Sequence, residues 1–170
     1  MDKKKLLFLG VGIALLLGAW WYFFKPAIQP STETVSLYFE PSSFSVKPGD
    51  SFNVPLKLNP DGKQITAQEL YFSFDKDLLV LNSIATSSAF AAVLMPTKID
   101  NDAGQASIII GVPPTSPVSE ITDVLYFNFS AKEKTGIAMV RVENHSQAAA
   151  IGMSANVLSG FGSLKLEIKE

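Results

Sequence analysis

The chain has 170 residues, with 14 Lys and Arg against 16 Asp and Glu, a net charge of −2 and a mean hydropathy of +0.23. It contains no cysteine, which excludes disulfides and thiol chemistry. An acidic balance without a long basic run excludes a nucleic-acid binder.

The first element is apolar. Behind Lys3-Lys4-Lys5 run 19 uncharged residues, Leu6 to Phe24. At 1.5 Å per residue this is about 28 Å of helix, close to the hydrocarbon thickness of a bilayer. The lysines on its N-terminal side keep residues 1–5 cytoplasmic and send the rest outward. Trp20 to Phe24 form an aromatic belt at the far interface. A cleaved signal peptide is the competing reading; it needs a small-x-small cleavage site, and bulky aromatics stand there instead. A filament-subunit helix would need a processing signal before Leu6, and none is present. Residues 25–34, with Pro26, Pro30 and Ser31, form a linker. Residues 35–170 are then one domain, with 14 acidic and 10 basic residues and a net charge of −4. That length is sufficient for a substantial core.

From Val35 the apolar period is two, not 3.6. Val35, Leu37 and Phe39 alternate with Ser36 and Tyr38. Phe44–Val46 follows, then the turn Lys47-Pro48-Gly49-Asp50. Phe52, Val54, Leu56 and Leu58 alternate next, with Pro55 inside the run, which predicts an edge position or a bulge. After Asn59-Pro60-Asp61-Gly62, Leu70, Phe72 and Phe74 alternate with Glu69, Tyr71 and Ser73. The remaining candidates are Leu79–Ile84, Val93–Ile99, Gln105–Val112, Val124–Ser130, Ile137–Glu143 and Ser163–Ile168. Nine or ten short strands separated by turn signals predict an all-β sandwich.

Ile65 to Leu79, with its Phe74-Asp75-Lys76-Asp77-Leu78 turn, resembles the third strand of cohesin domains, with Lys76 where the family has proline. Val46 to Leu56 resembles the family's Pro-Gly-Asp turn followed by Val-Pro-Val. Asp100-Asn101-Asp102-Ala103-Gly104 resembles its hairpin before the sixth strand, and Ile121, Leu125, Phe127 and Phe129 its seventh strand. The resemblance covers nearly all of residues 35–168. It implies a nine-stranded jelly-roll sandwich that is not an enzyme, needs no cofactor of its own and binds a dockerin module through the outer face of one sheet. That sheet holds the family's strands three, five, six and eight.

On that face the alternation predicts Ala67, Glu69, Tyr71 and Ser73 pointing outward from strand three. Ala67 and Glu69 stand where many cohesins have Asn and Asp; Glu69 keeps the acid and Ala67 lacks the polar group. Ser107 and Ile109 would point out from strand six, and Ile137, Met139 and Arg141 from strand eight. Ile108-Ile109-Ile110 does not declare its phase, so a register one residue off stays open. The partner-binding candidates are Ala67, Glu69, Tyr71, Ile109, Met139 and Arg141, with an interface-like mixture of Tyr, Arg, Ile and Met.

The resulting expectation is a single-pass cell-membrane protein whose extracellular domain holds an exported, dockerin-like partner. A polysaccharide-binding module on the same anchor is the first alternative. Tyr38 and Tyr126 map to the opposite sheet, and the domain has no tryptophan, so no aromatic platform for a glycan is visible. A structural subunit of a surface assembly is the second alternative. Asp100-x-Asp102-x-Gly104 offers too few oxygens for calcium and reads as a hairpin turn. His145 sits in a polar loop without a paired acid or nucleophile. Asn128-Phe129-Ser130 and Asn144-His145-Ser146 match the glycosylation sequon.

Overall fold

The computed structural model describes residues 34–170; the anchor expected over Leu6–Phe24, the basic tip and all but the last residue of the linker lie outside them. Period-two alternation becomes twelve strands: β1 Val35–Phe39, β2 Ser43–Val46, β3 Ser51–Asn59, β4 Ile65–Phe74, β5 Leu79–Thr86, β6 Ala92–Asp100, β7 Gln105–Gly111, β8 Thr122–Ala131, β9 Gly136–Val142, β10 Gln147–Ala150, β11 Leu158–Phe161 and β12 Ser163–Ile168. All ten expected strands are present. The expected nine-strand count is corrected to twelve. Two of the added segments, β10 and β11, carry no alternating apolar signal of the length that marks the others. Four residues of Gln-Ala-Ala-Ala, and four of Leu-Ser-Gly-Phe, are held by their neighbours rather than by intrinsic strand preference.

The strands form two sheets. One has five, in the order β11-β1-β3-β8-β5. The other has seven, in the order β2-β12-β9-β4-β7-β6, with β10 also paired to β4. Pairing is antiparallel except for β1 with β11 and β2 with β12. Pro55 lies in β3, which has neighbours on both sides. Pairing with β1 ends at Phe39 opposite Leu56, however, so at Pro55 only β8 is paired. The register shift expected near a strand proline follows at once, between Leu56 and Lys57.

The inward residues meet between the sheets. Leu70, Phe72 and Phe74 of β4 face the side chains of β8. The Phe72 ring meets Phe127 edge-on at 4.8 Å, and Phe74 meets Phe129 at 5.7 Å. Phe127 and Phe129 stack at 6.0 Å. Burying each such side chain contributes about 1.5–3 kcal/mol. A polar amide also lies buried. Gln68 is 1% exposed, and neither its amide oxygen nor its nitrogen has a hydrogen-bond partner among the described residues.

The Asp100–Gly104 hairpin is closed by the side chain of its first residue. Asp100 Oδ1 accepts from the amides of Asp102 and Ala103, at 3.0 and 2.8 Å. Gly104 has φ +68°, and a Cβ there would sit 2.4 Å from the Phe74 carbonyl oxygen, so only glycine fits. Asn101 reaches β5, accepting from the Leu81 amide and donating to its carbonyl.

Candidate functional site

The outer face of the seven-stranded sheet is a grid whose rows are set by the pairing of β4. Ala149, Ala67 and Gly111 form the first row; Gln147, Glu69, Ile109 and Met95 the second; Tyr71, Ser107 and Lys98 the third; Arg141, Ser73, Gln105 and Asp100 the fourth. The phase left open by Ile108-Ile109-Ile110 is settled by burial. Ile108 and Ile110 are buried, as are Ala138, Val140 and Val142, while Ile109, Met139 and Arg141 face outward.

The structure brings Ala67, Glu69, Tyr71 and Ile109 together, with Glu69 directly opposite Ile109. It sets Arg141 and Met139 apart. Arg141 lies opposite Ser73, about 13 Å along β4 from Glu69, and Met139 lies beyond it opposite Lys165.

The first row has almost no side chains, and this makes a hollow of about 340 Å³ rimmed by Glu69, Ile109, Gln147 and Met153. The space beside it is used by Leu94. The register shift between Val93 and Met95 leaves Leu94 unpaired in a bulge. A Cβ on Gly111 would lie 2.9 Å from Leu94 Cδ1, so the leucine rests on the glycine while staying 61% exposed. Met153, 53% exposed, closes the other side. These apolar residues were missing from the sequence-based set. The loss of a polar group at Ala67 thus belongs to a row of small residues that opens the surface.

Tyr71 is the hinge of the face. β7 pairs with one side of β4; β9 and β10 share the other side in series, and the ladder breaks between them opposite Tyr71. The Glu143–Ser146 turn repairs the break. The Glu143 amide donates to the Tyr71 carbonyl at 2.8 Å, and the Tyr71 amide donates to Ser146 Oγ at 3.0 Å. Ser146 is fully buried. The turn lifts His145 over the sheet, where its ring centroid lies 4.4 Å from that of Tyr71, tilted by 42°. His145 thus stays in the polar loop expected for it, exposed, and joins Tyr71 in one cluster. No local sequence signal places it there, because the contact depends on where the strand breaks.

Tyr71 also donates its hydroxyl to Glu69 Oε1 at 2.5 Å, and that carboxylate holds the tyrosine above its usual pKa. Glu143 Oε1 accepts the Ser73 hydroxyl. Because Ser107 is small, a second hollow of about 380 Å³ opens between the Tyr71–His145 pair and Lys98 with Asp100. The Glu69–Tyr71 pair is the ridge between the two hollows.

The opposite face differs in kind. Its polar side chains are satisfied by one another. Asn128 donates to Asn53 at 2.8 Å and accepts from Asn82 at 2.9 Å, and Ser51 and Ser130 are 2.8 Å apart. The amide of the Asn128 sequon is thus engaged within a strand. Lys57 lies 3.0 Å from Asp123 and 3.3 Å from Glu40, and Tyr126 donates to Asp123 at 2.8 Å. Lys57 first, then the Tyr126 hydroxyl, hold the Asp123 carboxyl below its usual range.

Comparison with known proteins agrees with this architecture. The family model for the cohesin domain matches residues 39–156. Among solved structures, a cohesin of Clostridium acetobutylicum aligns with TM-score 0.68 at 17% identity, over 81% of this chain and 92% of that one. The cohesin of a type I cohesin–dockerin complex from Clostridium thermocellum gives 0.64 at 16%, over 80% and 99%. A non-cellulosomal cohesin from the archaeon Archaeoglobus fulgidus gives 0.58 at 16%, over 78% and 89%. A search of curated proteins gives no match.

Proposed function

This chain belongs to the cohesin family, and from that premise we propose that the outer face of its seven-stranded sheet captures a dockerin-like module of an exported protein. The apolar segment Leu6–Phe24 would hold the domain at the outer surface of the cell membrane. Cohesin domains are non-catalytic protein-binding modules, and we assign this chain no chemistry of its own.

One observation carries the reading. The Ala67–Glu69–Tyr71–Ile109 face combines exposed or half-exposed apolar side chains with small residues and two hollows, whereas the opposite face is covered by a closed polar network. Aromatic and aliphatic groups beside unfilled space supply complementarity and desolvation to a partner. A surface whose amides already bond one another offers less.

The test compares two double substitutions in the full chain against a panel of dockerin modules. Glu69→Ala with Tyr71→Ala should weaken capture by about 30-fold or more, the equivalent of about 2 kcal/mol at a central tyrosine. Tyr38→Ala with Tyr126→Ala should leave it nearly unchanged. Loss of binding only with the second pair, particularly binding to an insoluble polysaccharide, would replace this reading with the carbohydrate-binding one. Self-association with neither ligand would favour a structural subunit.

A further inference from the structure

Resting on that reading, we infer that the hollow between Tyr71–His145 and Lys98–Asp100 receives a guanidinium-bearing side chain of the partner. The partner recognised would thus be one that presents an arginine to this end of the face.

Shape is the first argument. The hollow is about 380 Å³, within the range of sites that enclose a small group. Its floor is low because Ser107 stands in the row between Tyr71 and Lys98. The second argument is the wall. The Tyr71 and His145 rings meet at 42° and 4.4 Å, which leaves aromatic surface beside the space without a flat multi-ring platform. A planar cation stacks on a single aromatic face; a sugar chain would use several coplanar rings.

Charge is the third argument. Glu143 and Asp100 line the same space, and their side-chain hydrogen bonds come from neutral donors: the Ser73 hydroxyl and the Asp102 and Ala103 amides. Among the described residues neither of the two is in an ion pair, and each uses only one of its two oxygens in those bonds. The cation on the rim, Lys98, is exposed and makes no ion pair either. The domain as a whole carries −4. A guanidinium stacked on Tyr71 can donate to a free carboxylate oxygen, which a neutral side chain cannot match in strength.

The experiment is an amide-resonance titration of the full chain in detergent micelles. The probes are N-acetyl-arginine amide, N-acetyl-glutamine amide and methyl glucoside. The arginine probe should shift the resonances of Tyr71, Ser107 and His145 saturably, and the glutamine probe should not. Glu143→Gln should weaken the arginine probe by up to about fivefold, the upper range for a partly exposed ion pair. Silence of these resonances with the arginine probe, or saturable shifts with the glucoside instead, would overturn the inference. Dockerin capture that persists alongside such silence would leave the proposed function standing and remove only this inference. Arginine binding without any dockerin capture would do the reverse.

Discussion

Ser146→Ala removes one atom and should cost far more than a surface substitution. The Ser146 hydroxyl is the partner of the Tyr71 amide at 3.0 Å, at the point where β9 and β10 leave β4 without a strand neighbour. It also donates to the Tyr71 carbonyl at 3.3 Å. That carbonyl keeps a second donor, the Glu143 amide at 2.8 Å, so the substitution orphans the N–H and not the C=O. Ser146 is fully buried, and deleting one oxygen leaves too little room for a bridging water. An unsatisfied buried donor costs about 1–3 kcal/mol. For a domain of this size that lowers the melting temperature by about 3–5 °C per kcal/mol. Urea unfolding measures the stability, and hydrogen exchange of the Tyr71 amide locates the loss. The Tyr71 amide should lose protection before its neighbours in β4, and His145 should lose its fixed place over the tyrosine ring. A cost below about 0.5 kcal/mol, with Tyr71 still protected, would show that the turn does not depend on this hydroxyl.

Three further outcomes follow from the same geometry. Phe72→Ala should cost about 3–5 kcal/mol in urea unfolding, because its ring is 2% exposed and packed on Phe127; Tyr71→Ala should cost much less, and equal losses would contradict the register of β4. Gln68→Met should stabilise the fold by about 1 kcal/mol, since it replaces a buried amide without partners among the described residues by an apolar side chain of similar volume; destabilisation would mean that an ordered water bonds the amide. The Asp123 carboxyl is held below its usual 3.8 by Lys57 and then Tyr126, so its contribution is complete above about pH 4 and is lost as pH falls through the lowered value. Stability of Asp123→Asn, followed by urea unfolding from pH 6 to pH 2, should therefore fall less steeply below about pH 4 than that of the parent chain, and parallel curves would contradict the pairing.

The strands were legible where alternation was long enough to define a face. β4 declares its phase through Leu70, Phe72 and Phe74 against Glu69, Tyr71 and Ser73, and burial follows it residue by residue. β7 did not, because three isoleucines in a row satisfy either phase; what fixes it is pairing with β4, Glu69 opposite Ile109 and Leu70 opposite Ile108. β10 was invisible for a different reason. Alanine has little strand preference, and Ala148 and Ala150 are buried because a partner already stands beside them in β4.

The same distinction explains what was missed on the outer face. A strand sequence gives the side from which a residue projects, and on that basis Glu69, Tyr71, Met139 and Arg141 could be placed. It does not give what stands beside that residue on the next strand. The hollow at Ala67 exists because Ala149 and Gly111 flank it, from positions more than forty residues away on either side of the grid. Leu94 reaches the face through a bulge, and His145 through a break in pairing; both are departures from alternation, so a reading built on alternation passes over them. Conformational irregularity in this sheet is concentrated where side chains are delivered to its outer surface. That is the reason the regular positions were enough to find the fold, while the shape a partner would meet depends on the irregular ones.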